Sequence, residues 1–241
     1  MLEKIRRIYI GGGVASILKK VLELAVRGAK NASRAFYFKV SMADTFKFNG
    51  RELKYFRHNF NLAYANERTI EIAIIKDFLK ILGKNAKILE VGNVLANYGF
   101  RNTSRDVLDK YDPALHVFNE DVINFKPLEK YAAIISISTL EHVGWDEDIR
   151  DPMKIISAVR NLKENCLAPS GRMLVTIPIG YNTYFDDQLA RGAEYLTEKY
   201  FFKRISADNK WKQVDYTEVL GAKFGQPFKN ANAMCIGIVH S

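Results

Sequence analysis

A chain of 241 residues with 48% hydrophobic and 12% aromatic content and a mean hydropathy of −0.16 has the make-up of one soluble α/β domain with an appendage, which excludes a largely disordered protein and two full domains. Two distant cysteines, Cys166 and Cys235, exclude a disulfide framework and a C-x-x-C metal or redox site, and fit a reducing cytoplasm. The net charge of +9 is concentrated: residues 1–40 hold nine Lys or Arg against Glu3 and Glu23, leaving a near-neutral remainder that is a poor match to a nucleic-acid groove.

In the basic segment, Val14, Ile17, Leu18, Val21, Leu22 and Ala25 recur at helical spacing, with Lys19, Lys20, Glu23 and Arg27 on the opposite side. The lysine pair interrupts this amphipathic helix too early for a membrane span, and the three glycines at 11–13 with no cleavage site after them do not make a secretory signal. Such a helix lies on an anionic membrane surface, or packs on the neighbouring domain or a second subunit. Peripheral membrane contact through residues 1–40 and a homo-oligomer are both expectations here.

Residues 41–66 alternate and are rich in aromatics, and Asn49-Gly50 is a strong hairpin turn signal. Asn66 then stands as an N-cap, with Glu67 in the first turn of a helix that runs through Ile70, Ile74, Ile75 and Phe78 to Gly83. This divides the chain into an extension, residues 1–66, and a main domain, residues 67–241. Within the main domain, strands are expected near 87–91, 105–109, 115–118, 131–137 and 172–177, alternating with helices. One of these helices runs from Pro152 to about Asn165, capped by Asp151. Two further strands follow at 200–205 and 233–239.

The first of these strands ends Leu89-Glu90-Val91-Gly92-Asn93-Val94, and Asp109 follows nineteen residues after Glu90 at the end of the second. An apolar strand ending in an acid and a glycine, with another acid one β-α-β unit later, suits nucleoside binding at the carboxyl edge of a doubly wound sheet. A dinucleotide would need two more glycines to bring backbone amides onto a pyrophosphate. Asn93, Val94, Leu95 and Ala96 supply none, which favours a cofactor without phosphate.

Glu90-Val91-Gly92, Asp109, Asn119-Glu120-Asp121-Val122 and Ile134 to Val143, in that order, resemble the class I S-adenosylmethionine-dependent methyltransferases over roughly residues 70 to 180. The resemblance implies a Rossmann-like, doubly wound, seven-stranded mixed sheet with helices on both faces, ending in an antiparallel pair. It also implies S-adenosylmethionine as cofactor. Gly92, with Asn93 beside it, would let the backbone pass close to the cofactor's methionine part. Glu90 would orient that loop or meet the ammonium, the alternative being a cap for the next helix. Asp109 would accept hydrogen bonds from the ribose hydroxyls, unless it pairs with Lys110 or Arg105. Asp121 would accept from the adenine amino group, with Glu120 as rival acid and Val122 against the ring.

Ser138 to His142 leave the fourth strand beside the expected sulfonium, with Ser138 assigned to the cofactor. Methyl transfer needs the acceptor held on axis, and a hydroxyl acceptor must lose its proton. His142 suits that as base, because imidazole accepts a proton at neutral pH; Glu141 could orient it or be the base itself, and His142 could equally line the cofactor without proton transfer. The acids Asp146, Glu147 and Asp148 read as a solvated run, and no metal is expected. Tyr181, Asn182 and Asp186 after the fifth strand, with Arg68 from the N-terminal side, are placed to bind an acceptor. The segments around Asn66, Ser138 to Trp145 and Pro178 to Asn182 also look similar to methyltransferases of surface-polysaccharide biosynthesis, which implies a sugar, glycan or other small hydroxyl acceptor. A catalytically inactive adapter with this fold and a nucleic-acid methyltransferase stay open at this point.

Overall fold

The computed structural model describes residues 18–26, 28–29, 33, 45–83, 85–100 and 105–241. Two compact units divide after Met42. In the first, residues 18–26 are helical, with Lys20 Nζ 3.2 Å from Glu23 Oε2; Val14, Ile17 and Arg27 of the amphipathic pattern lie outside the described residues. No helix among the described residues is long and apolar enough to cross a membrane.

The second unit opens with the hairpin β1 (Thr45–Phe48) and β2 (Arg51–Lys54), paired Thr45 to Lys54 and Phe48 to Arg51. Asn49 and Gly50 have φ of 48° and 77°, the two positive values that a two-residue turn needs to match the strand twist. Phe46 and Phe48 point inward and are buried, whereas Lys47 between them is exposed. The hairpin belongs to the second unit, and its aromatic face packs on Tyr200 and Phe202.

Helix α1 (Arg68–Lys80) starts where Asn66 Oδ1 accepts from Arg68 N at 3.1 Å, and it buries Ile70, Ile72, Ile74, Ile75 and Phe78. The strands β3 (Ile88–Val91), β4 (Arg105–Leu108), β5 (Val117–Phe118), β6 (Tyr131–Ile137), β7 (Leu167–Pro178), β8 (Glu198–Arg204), β9 (Trp211–Val214) and β10 (Ala233–His240) form one sheet in the order β5-β4-β3-β6-β7-β10-β8-β9. The pairs from β5 to β7 are parallel, and β10, β8 and β9 are antiparallel. The sheet therefore has eight strands, not seven. The extra strand, β9, is four residues with two polar members, too short and mixed to stand out by periodicity.

Helices α2 (Lys154–Asn161), prolonged by a π-helical turn to Cys166, and α3 (Thr183–Ala190) pack one face: Ile155, Ala158, Val159, Leu162, Phe185 and Leu189 join Leu89, Val91, Ile134, Met173 and Val175 in one core. Helix α1 takes the other face, where Glu71 reaches Thr176 of β7. The expected alternation of strand and helix weakens between β3 and β6. After β3 a single 3-10 turn, Leu95–Tyr98, ends at Gly99 with φ of 75°, and among the described residues β4, β5 and β6 are joined by loops and turns.

The chain runs outward from β3 to β5, then returns to β6 on the other side of β3. This reversal opens a crevice at the carboxyl ends of β3 and β6, the usual ligand position of such sheets.

Candidate active site

A cavity of about 340 Å³ lies at this crevice, lined by Val91, Gly92, Leu108, Asp109, Lys110, Tyr111, Glu120, Asp121, Val122, Thr139, His142, Val143, Asp146 and Glu147. Gly92, Asp109, Asp121, Val122 and His142 of the sequence-derived residues thus share one cavity, reached from the ends of four parallel strands.

The loop after β3 is closed from within. Glu90 is fully buried, its Oε1 accepts from Val94 N (2.9 Å) and Leu95 N (2.7 Å), and Arg105 Nε lies 3.2 Å from its Oε2. Burial pushes its carboxyl up against the pull of Arg105. Its side chain orients the loop and is not among the cavity-lining groups. Gly92 has φ of +87°, and a Cβ there would stand 2.2 Å from Thr139 Oγ1. Thr139 therefore leaves no room for a side chain at 92, and both residues line the cavity. Asn93 N donates to Asp109 Oδ2 (3.2 Å) and its Nδ2 to Asp112 Oδ2 (2.8 Å), which ties the first loop to the second.

Asp109 also accepts from Tyr111 N (3.0 Å) and Asp112 N (3.1 Å), both at Oδ1. A carboxylate offers about four acceptor positions, so one remains, on Oδ2. Asp121 is more committed: Lys110 Nζ lies at 2.9 Å and Lys154 Nζ at 2.6 Å from its Oδ2, and Lys154 also grips both Glu147 oxygens, at 2.8 and 2.6 Å. Against the effect of partial burial, this four-membered network holds the Asp121 and Glu147 carboxyls low and the Lys154 ammonium high. Asp121 was legible as a cofactor candidate, but its pairing with Lys110 and Lys154 was not.

After β6, Ser138 adopts φ of 39° and turns its hydroxyl onto Glu71 Oε1 (2.6 Å), away from the cavity lining. Glu71 also accepts from Thr176 Oγ1 (2.5 Å) and pairs with Arg68 Nη1. Arg68 is thus held in a buried cluster with Glu71, not at the cavity wall. Glu141 joins this cluster: its side chain is buried and its Oε2 has no hydrogen-bond partner. Burial first, and the neighbouring Glu71 next, push its carboxyl well above the usual range. Glu141 is not among the cavity-lining groups, so its carboxyl does not meet a ligand there.

His142 faces the cavity, and its orienting partner is Asp146, whose Oδ2 lies 2.5 Å from His142 Nδ1. Asp146 N donates to His142 O at 3.1 Å, and a non-helical turn, with Val143 extended and Gly144 at φ of 70°, brings the two side chains together. Because this turn is not helical, the four-residue spacing does not by itself mark the pair, and Asp146 to Asp148 read as a solvated run. Tyr181 OH donates to the same Asp146 oxygen at 2.6 Å, so its polar end is engaged within the protein. Asn182 is fully buried, caps α3 through Phe185 N (3.1 Å) and donates to Glu141 O (2.9 Å). Asp186 lines a separate cavity of about 240 Å³ with Ile179, Tyr216 and Val219, and accepts from Gly180 N. Burial raises its carboxyl to about 6.

No protein-family model matches the chain, and no curated protein does. Solved structures that resemble it include the N-methyltransferase NodS of Bradyrhizobium japonicum in complex with S-adenosyl-l-homocysteine, with 14% identity and a TM-score of 0.46 over 73% of this chain and 87% of that one. A TehB-like SAM-dependent methyltransferase of Corynebacterium glutamicum matches with 16% identity and a TM-score of 0.39, covering 69% of this chain and 86% of that one. An rRNA methylase of Streptococcus thermophilus matches with 13% identity and a TM-score of 0.40, covering 70% and 96%.

Proposed function

We propose that the chain is an S-adenosylmethionine-dependent methyltransferase that methylates a hydroxyl of a sugar, glycan or other small acceptor. The observation that carries this reading is one cavity, at the switch point of the sheet, lined by Gly92, Asp109, Val122 and His142. Its volume falls within the range of small-molecule sites, and the apolar side chains Val91, Leu108, Val122 and Val143 suit a flat heterocycle. Asp109 has one acceptor position left for a ribose hydroxyl. Asp121 is already neutralised by two lysines, so Glu120 is the better acceptor for an exocyclic amine. The residues therefore fit an adenosyl group.

When bound, the cofactor supplies a methyl group on a cationic sulfur. Asp109 and the apolar walls would hold its adenosine, the closed Glu90 loop keeps the backbone of residues 92–95 fixed, and His142 takes the proton of the acceptor hydroxyl. Removing that proton is work for His142 rather than Glu141, because His142 lines the cavity and the buried Glu141 does not. The charge excess of residues 1–40 supports a further part of the proposal, contact of that segment with an anionic membrane where lipid-linked glycans lie.

Isothermal calorimetry with S-adenosylmethionine and S-adenosylhomocysteine tests the cofactor. Saturable heat with mutual competition is expected; no heat up to millimolar ligand would refute the reading and favour a non-catalytic adapter.

A further inference from the structure

We infer that Asp146 and Tyr181 are positioning residues that hold His142 in a single tautomer, Nδ1 protonated and Nε2 free to take a proton at the cavity. What that proton transfer serves rests on the methyltransferase reading above.

One oxygen, Asp146 Oδ2, receives both His142 Nδ1 at 2.5 Å and Tyr181 OH at 2.6 Å. An ionised carboxylate only accepts, so the imidazole nitrogen facing it must carry hydrogen. In a neutral imidazole the other nitrogen then keeps its lone pair. Glu141 Oε1, 3.8 Å from Nε2, is beyond hydrogen-bond length and leaves that lone pair open. The carboxylate stays ionised because, against its partial burial, the bonds from His142 and Tyr181 hold it below the usual range.

Orientation is fixed as well as tautomer. The Tyr181 ring meets the imidazole at 4.9 Å and 72°, and Phe224 backs Tyr181 at 5.1 Å and 80°. Three segments distant in sequence, after β6, after β7 and before β10, converge on one half-exposed histidine. An exposed His–Asp pair alone contributes little to stability. During transfer the acceptor O–H bond breaks and the proton goes to Nε2. The bound cofactor would supply the methyl group that this oxygen takes in place of the proton, with the carbon–sulfur electron pair left on sulfur. The imidazolium that results lies against Asp146, which offsets its charge.

The test is a two-dimensional long-range ¹H–¹⁵N spectrum of the full-length protein at pH 8, with His142→Ala to identify the signals. The Nδ1–H pattern is expected in the wild type, a shift toward Nε2–H in Asp146→Ala, partial recovery in Asp146→Glu, and a smaller shift in Tyr181→Phe. Turnover of Asp146→Ala should fall mainly in kcat, by no more than the roughly 10² to 10⁴ that general base catalysis contributes. An Nε2–H pattern in the wild type, or an unchanged tautomer in Asp146→Ala, would overturn the inference. Calorimetry on the wild type separates the two claims, because a missing cofactor heat refutes the methyltransferase reading whatever the tautomer.

Discussion

Replacing Gly92 by alanine tests what this glycine is for. Its φ of +87° costs an L-residue about 1–2 kcal/mol. The added Cβ would stand 2.2 Å from Thr139 Oγ1, 2.8 Å from its Cγ2 and 3.0 Å from its Cβ. Thr139 cannot simply rotate away, since its hydroxyl donates to Ile137 O at 3.1 Å, a bond of about 1 kcal/mol. Overpacking of this kind costs about 1–3 kcal/mol, so Gly92→Ala should destabilise by about 2–5 kcal/mol in urea unfolding. Thr139→Ala removes the two closest contacts and keeps the third. In the double variant about 1–2 kcal/mol of the penalty should return, while the backbone cost stays. A single variant within 0.5 kcal/mol of wild type, or strictly additive effects, would refute the claim that Thr139 is what requires glycine at 92.

His142→Ala should lower turnover by roughly 10² to 10⁴ with any acceptor that is methylated; unchanged turnover ends its role as base. Asp186 titrates near 6 in the folded chain against an ordinary 3.8, so the wild type is relatively most stable below pH 4 and loses stability as pH rises through 6. Asp186→Asn should therefore gain stability relative to wild type from pH 4.5 to pH 7.5, by about 1 kcal/mol after solvent screening of a partly exposed group. A difference that is flat with pH would show that Asp186 is not strained by ionisation. Removing residues 1–40 should abolish sedimentation with anionic liposomes while cofactor heat survives; equal sedimentation with and without the segment rules out its membrane role.

Local chemistry was the legible part of this chain. Asn49-Gly50 needs only its own backbone preference to turn a hairpin, Asn66 only its side chain to start α1, and β6 only an apolar run broken once by Ser136. Gly92 and Asp109 were legible because each follows directly on a strand end, with Glu90 inside the first of those strands and Val122 four residues beyond β5. Long-range partners were not. Lys110 and Lys154 reach Asp121 from 11 and 33 residues away, and Glu71 claims Ser138 from 67 away, so pairings decided by tertiary packing changed the meaning of residues correctly placed at the rim. Tyr181 shows the same: it stands at the expected edge, but its hydroxyl faces Asp146.

The hairpin has a consequence for any shortened version of this protein. Tyr55 OH accepts from Trp211 N at 2.9 Å and donates to Trp211 O at 3.3 Å, while Gln213 takes the Asn49 amide at 2.7 Å. The two Tyr55 bonds occupy the backbone N–H and C=O of Trp211 on the last strand in the sheet, β9, and the Asn49 bond holds the Gln213 side chain, so part of an edge that would otherwise be a template for another chain is covered. A fragment begun at Glu67 would keep every cavity-lining residue, yet it would leave that border bare and invite copies of itself to stack there.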